Sequence, residues 1–234
     1  MLGDDLHAAL GASVPSDHSR QTLADDYIPR LATSSAEVLD LGCGTGDSVD
    51  QFRAVNPSIS WLGVDVESSP EVARRTRTDA EFRTFDGVRL PTENSTFGAV
   101  FCKQVLEHVT NPGPLVGDVA RVLRPGGLFA GSTSQLEPYH SLSVGNPTPY
   151  GVKLLLEGAG LELLELRPGI DGLALVLHRV FGMRAFTRRW WSRESPLNRA
   201  VEAYRRVGRL DAARANAAKL VVCGQFAFLA RRPV

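Results

Sequence analysis

The densest chemistry in this chain sits in the run Val38-Leu-Asp-Leu-Gly-Cys-Gly-Thr-Gly46. An apolar strand here delivers the backbone to a glycine-rich turn at the start of a helix. Glycines allow a ligand to approach the backbone closely, and the free N–H groups of the helix start favour an anionic group. A dinucleotide site spaces its glycines G-x-G-x-x-G around a pyrophosphate. In this chain the third glycine arrives one residue early, at Gly46, and Asp47 stands where the dinucleotide pattern needs glycine. Asp40, just before Gly42, would repel a pyrophosphate but could face an ammonium. A zwitterionic amino acid suits this loop better. Cys43 occupies a loop position that needs a small side chain.

Two further acids follow in order. Asp65, in Gly63-Val-Asp65, lies about twenty residues beyond the loop, where nucleotide folds place the carboxylate that accepts ribose hydroxyls. Asp86-Gly87, ahead of Leu90-Pro91, offers a carboxylate to an exocyclic adenine amine. Each alone reads equally as a turn or as a strand-end acid in solvent. The ordered set is specific.

The stretches VLDLGCGTG, WLGVDVE, FDGVRLPTENSTFGAVFCKQVLEHV and LRPGGLFAGST resemble the class I S-adenosylmethionine-dependent methyltransferases, in particular the ubiquinone and sugar O-methyltransferases. The resemblance runs from about Glu37 to Gly169 and returns at Cys223-Gly-Gln-Phe. It implies that Gly42, Gly44 and Gly46 surround the methionine part of the cofactor, that Asp65 holds the ribose, and that Asp86 with Gly87 meets the adenine. Lys103 and Gln104 would lie beside the sulfonium, and Asp40, Cys43 and Val66 complete the expected cofactor set. The implied fold is an α/β Rossmann-like sheet of seven strands, order 3-2-1-4-5-7-6, with strand seven antiparallel. Two departures stand out. Gly98 occupies a position where the family often has Asp, and Gln104 replaces a glutamate of the metal-binding ubiquinone-type members, so no metal is expected.

Methyl transfer from a sulfonium is an in-line displacement that needs the acceptor held in line. A hydroxyl acceptor must also lose a proton, and a positioned base contributes about 10²–10⁴-fold. His108, in Leu106-Glu-His-Val109, and His140, in Glu137-Pro-Tyr-His140, both follow strands whose ends should form the cleft. Each could equally be a packing or capping residue. Glu107 is the further catalytic candidate. The loop from Glu137 to Tyr150 is rich in aromatic and polar groups and reads as an acceptor loop, with Glu137, Tyr139 and Tyr150 as contacts; a proline-braced connection is the plainer reading.

The elements needed to position these groups alternate along the chain. Residues 1–35 read as a helical N-terminal extension, and 36–234 as the methyltransferase domain. Strands are expected at Glu37–Leu41, Ile59–Val64, Glu81–Phe85, Ala99–Cys102, Leu128–Ser132, Leu161–Leu166 and Leu220–Ala230. Helices are expected at Asp47–Val55, at Pro70–Arg77, from Asn111-Pro112 to before Arg124, and from Thr148-Pro149 to Gly158, with Thr148 as N-cap. Residues 171–219 read as a basic helical insertion, a lid or cap. Leu197, Ala200, Val201, Tyr204 and Val207 mark one helix face there, behind Ser195-Pro196.

The 234 residues, 43% hydrophobic and 22% charged, are ordinary for one globular domain with an insertion. Net charge is zero, yet Arg179 to Lys219 carries eleven Lys/Arg against Glu194, Glu202 and Asp211, a local +8. A solvated cap, a lid over an anionic or carbohydrate acceptor, and contact with nucleic acid or an acidic membrane surface all fit that segment. Nucleic acid ranks last, because its binders are usually basic overall. Three scattered cysteines and no apolar N-terminal stretch point to reduced thiols in a soluble cytoplasmic protein without a membrane span. The expected partner is a small-molecule or glycan acceptor, with homodimerisation open. The expected activity is O-methylation of a hydroxylated acceptor, a sugar or glycan first. An N- or C-methyltransferase and a non-catalytic binding subunit are the alternatives.

Overall fold

The computed structural model describes residues 2–208 and 210–234; Met1 of the N-terminal extension and Arg209 of the basic segment lie outside the described residues. Seven strands form one sheet in the order β3-β2-β1-β4-β5-β7-β6. They are β1 (Glu37–Leu41), β2 (Ser60–Val66), β3 (Glu81–Phe85), β4 (Phe97–Lys103), β5 (Leu123–Ser134), β6 (Glu162–Pro168) and β7 (Gln225–Arg231). β1 pairs in parallel with both β2 and β4, while β7 runs antiparallel between β5 and β6. The chain order therefore reverses between β1 and β4, where open α/β sheets leave a crevice at the carboxyl ends of their strands.

Side chains along the central strands alternate between two apolar layers. Leu39 and Leu41 of β1, with Val100 and Cys102 of β4, face one layer, and Val38, Ala99 and Phe101 face the other. This is the period of two that a strand buried on both faces imposes. The first layer is covered by α4 (Pro112–Val122), α5 (Pro149–Gly158) and α9 (Ala212–Val222), with Leu10 of α1 (Asp4–Leu10). The second is covered by α2 (Ile28–Ser34) and α3 (Ser48–Val55). In α4, Leu115, Val116, Val119 and Val122 are fully buried, the one-face spacing of an amphipathic helix. Thr148 caps α5 as expected, its hydroxyl accepting from the Gly151 N–H at 3.0 Å.

Three local expectations change. Pro70–Arg77 forms only a 3-10 turn at Val72–Arg74, because this segment packs against the glycine loop rather than along the sheet. Leu220 to Val222 belong to α9, and β7 begins at Gln225; a short apolar run cannot distinguish a buried helix end from a strand. The predicted apolar face of α8 (Pro196–Gly208) is largely open, with Val207 86% and Tyr204 56% exposed, and the buried residue of that helix is Asn198.

Asn198 belongs to a polar seam that joins residues 171–219 to the N-terminal segment. Its Nδ2 donates to Gln21 Oε1 and to the Gly169 carbonyl. Asn216 Nδ2 donates to the carbonyls of Pro15 and His18, each at 2.8 Å. The fully buried Lys219 ammonium donates to the Ser19 carbonyl and pairs with Glu194 at 3.2 Å. Buried polar groups need such partners. Gly98 also finds its reason here, because a Cβ at that position would lie 2.4 Å from Ser35 Oγ. Ser35 fills the space that a side chain at 98 would take.

Candidate active site

A cleft of about 750 Å³ opens at the carboxyl ends of β1, β2 and β4. Its floor is the loop between β1 and α3. The backbone of that loop is left-handed at Gly42 (φ 71°), Gly44 (φ 52°) and Gly46 (φ 85°). Gly42 is also required sterically, since a Cβ there would meet Val105 Cγ2 at 2.2 Å. Its N–H donates to the Val64 carbonyl at 2.8 Å, which binds the loop to the end of β2.

Asp65 lines the cleft and is nearly buried. Its Oδ2 accepts from the Gly44 N–H at 2.7 Å and its Oδ1 from the Val66 N–H at 2.8 Å. Each carboxylate oxygen keeps a further lone pair, so the two can still receive a vicinal diol. Asp40 lies behind the loop instead. It accepts from Ser48 Oγ, which in turn receives Trp61 Nε1–H, and burial pushes its carboxyl up to about 7. It does not line the cleft, and neither do Cys43 and Gly46. Asp86 Oδ1 accepts from the N–H groups of Val88 and Arg89 at 2.8 and 2.7 Å, bonds that hold its carboxyl below the usual range. Asp86 thus closes the turn that presents Gly87 and Val88 to the cleft.

At the end of β4, Lys103 and Gln104 both reach the cleft. Lys103 Nζ pairs with Asp25 Oδ2 at 2.6 Å, which brings the N-terminal segment to the site. Gln104 is held at φ 56°, costly for a residue with a Cβ. Its Nε2–H donates to Ser132 Oγ at 3.0 Å, and Ser134 Oγ lies 2.9 Å from its Oε1.

The opposite end of the cleft gathers His108 and His140, whose rings meet edge to face with centroids 5.4 Å apart. Glu107 lies fully buried beneath them, accepting from Thr133 Oγ1 at 2.9 Å with Ser134 Oγ 3.1 Å from its Oε1, and burial raises its pKa. Its Oε1 is 4.0 Å from His140 Nε2. His108 Nδ1 is buried without a hydrogen-bond partner. Although no metal was expected, one ligand atom each from Glu107, His108 and His140 lie within 4.8 Å of one another, a spacing one divalent cation could bridge.

Of the expected acceptor residues, Glu137 is buried and accepts from Arg179, from Ser134 Oγ at 2.6 Å and from Gln225 Nε2 at 2.7 Å. Tyr139 and Tyr150 are 72% and 44% exposed and lie outside the cleft. The same loop instead presents His140, Ser141 and Leu142, the latter two with φ 40° and 62°. Residues the sequence did not single out also line the cleft, notably Glu71, Val105, Arg179 and Gln225. Gln225 lies within the Cys223-Gly-Gln-Phe run; Arg179 carries no local signal, being one arginine among many.

Comparison with known proteins follows the same lines. A family profile described as "Methyltransferase domain" matches residues 39–131. A ubiquinone biosynthesis O-methyltransferase of Xanthomonas oryzae pv. oryzae is 29% identical over 184 residues, covering 71% of this chain and 74% of the relative. The fold is shared with an S-adenosylmethionine-dependent methyltransferase from Mesorhizobium loti, at TM-score 0.56 and 15% identity over 89% of this chain and 98% of that one. It is shared too with phosphoethanolamine N-methyltransferase 2 of Haemonchus contortus, solved with S-adenosyl-L-methionine, at TM-score 0.54 and 14% identity over 99% of this chain and 53% of that one.

Proposed function

We infer that this S-adenosylmethionine-dependent methyltransferase, a member of class I, delivers its methyl group to a hydroxyl oxygen of a small polar acceptor, with a sugar or glycan first in line. The observation that carries the reading is the His108–His140 pair at the end of the cleft opposite Asp65 and the glycine loop. The O-methyltransferase named among the relatives supports oxygen as the target. The cleft volume falls within the roughly 300–1,000 Å³ usual for ligand sites.

When bound, S-adenosylmethionine supplies an electrophilic methyl on a sulfonium. The chain's own residues do the rest. Asp65 would accept the ribose hydroxyls, and Gly87 with Val88 would form the wall for the adenine. One of the two histidines would take the proton of the acceptor's hydroxyl, leaving its oxygen able to receive the methyl. Glu107 and Glu137 flank His140, at 4.0 and 3.7 Å from its ring nitrogens, and its Nδ1 lies 3.2 Å from the Pro138 carbonyl. A second reading follows from the grouping of Glu107, His108 and His140, which could hold a divalent cation that orients acceptor hydroxyls.

The test is a screen of hydroxylated sugars, glycans and phenols with carbon-13-methyl cofactor, reading the product methyl by NMR. A methyl on oxygen supports the proposal. A methyl on nitrogen or carbon overturns it in favour of the N- or C-methyltransferase alternatives. Cofactor binding without turnover across a broad panel would leave a binding subunit.

A further inference from the structure

From Gly172 to Arg193 the chain holds five arginines and no acid. It folds as α6 (Gly172–Arg179), the short helix α7 (Arg184–Thr187) and a 3-10 turn at Arg188–Trp191. The adjacent tryptophans point to opposite fates. Trp190 is 5% exposed and packs with Ile170, Ala174 and Leu175. That anchor turns its neighbours outward: Phe181 is 66% and Phe186 47% exposed, with Val180, Met183 and Trp191 open beside them. Charge is mixed into the same surface, for the Arg189 guanidinium lies 4.0 Å over the Phe186 ring.

Arg179 is paired with Glu137 at the cleft, and the acids that follow in the chain are engaged elsewhere. Glu194 accepts from the Gln21 N–H and from buried Lys219. Glu202 accepts from Ser19 and Arg205, and those bonds, led by Arg205, hold its carboxyl down at about 2. Among the described residues no ion pair involves Arg188, Arg189 or Arg193. The surface is therefore apolar and uncompensated in positive charge at once.

We propose that residues 177–193 dock on an anionic phospholipid bilayer. Exposed aromatic and aliphatic side chains interleaved with arginine suit the boundary between headgroups and acyl chains, where the apolar groups enter and the guanidiniums meet phosphate. A nucleic acid would match the charge but gains little from Val180, Phe181 and Met183. The protein lies on the membrane in this proposal; no helix among the described residues is long and apolar enough to cross one. Arg179, which lines the cleft, ends α6 at the border of this surface, so the acceptor end of the cleft opens beside the bilayer.

The full chain is sedimented with vesicles of phosphatidylcholine alone or with a third phosphatidylglycerol, at low and high salt. Binding to the anionic vesicles only, lost at high salt, is the expected result. Arg188→Glu with Arg189→Glu should weaken it by at least about 25-fold, some fivefold for each lost charge. Phe181→Ser with Phe186→Ser should weaken it while leaving charge unchanged, and S-adenosylhomocysteine binding by each variant shows that the fold is intact. Brominated lipid should quench Trp191 fluorescence, and Trp191→Phe should remove that quenching. Equal binding to neutral vesicles, no binding to either, or indifference to both double variants overturns the proposal. Binding to duplex DNA or RNA in place of vesicles would assign the surface to nucleic acid and overturn it equally.

Discussion

Lys103 at the end of β4 and Asp25 of the N-terminal segment pair at 2.6 Å across the rim of the cleft. They are separated by 78 positions in the chain. The pair compensates a cation that would otherwise face the expected sulfonium, and the second Asp25 oxygen is buried without a partner. Asp25→Ala should leave Lys103 uncompensated and weaken binding of S-adenosylmethionine more than that of the uncharged thioether S-adenosylhomocysteine. Calorimetric titration of both ligands checks this, and equal losses would reduce the pair to a structural brace.

Asp65 should carry a larger share of cofactor affinity. Asp65→Ala removes an acceptor for ligand hydroxyls and also frees the Gly44 and Val66 N–H groups. A loss of about 1.5–3 kcal/mol in S-adenosylhomocysteine binding is expected, the range for hydrogen bonds to a charged group. NAD should show no comparable binding. An unchanged affinity would remove Asp65 from the site.

The histidine pair is separable by mutation. Gln in place of the true base should lower kcat by about two to four orders of magnitude with cofactor binding retained. Under the base reading, exhaustive chelation leaves the rate of the wild-type protein unchanged. Loss of rate on chelation, restored by added Mg²⁺ or Mn²⁺, would instead favour a cation held by Glu107, His108 and His140. Wild-type turnover of a confirmed hydroxyl acceptor by both Gln variants would exclude either histidine as base.

Asp40 predicts a pH dependence of stability. Its carboxyl is raised from 3.8 to about 7 by burial, so in that window the folded state binds more protons than the unfolded one. Its contribution is full below the unfolded value and is lost as pH rises through the folded one. Between pH 5 and 8 the wild-type urea midpoint should therefore fall relative to that of Asp40→Asn, whose amide oxygen can still accept from Ser48. Parallel profiles for the two proteins would show that Asp40 titrates normally.

Gly98 gives a steric prediction. Gly98→Ala should cost about 1–3 kcal/mol by overpacking against Ser35, and Ser35→Gly in the same chain should recover much of it. Chemical denaturation of the two single variants and the double variant reads the coupling. Simple additivity would place the strain elsewhere.

The sequence by itself determined the glycine loop, Asp65, the central strands and the region of the cleft. All of these are local: each cleft-facing residue among them lies within a few positions of a strand end, and period-two apolar patterning locates that end. β1 and β3 match their expected bounds for that reason. Tertiary structure decided which polar residues at those ends turn inward. Asp40 and Asp65 look alike in the chain, yet one is drawn behind the loop by Ser48 and Trp61 while the other is drawn over it by Gly44. Glu137 and Tyr139 share one loop, but Arg179, 42 positions from Glu137, holds the acid inside while the tyrosine stays in solvent. Glu107, His108 and His140 meet because that loop folds back over the end of β4, the Val144 N–H donating to the Glu107 carbonyl at 2.8 Å. Contacts between residues this far apart depend on how loops close over a finished sheet, and no periodicity in the chain encodes that closure.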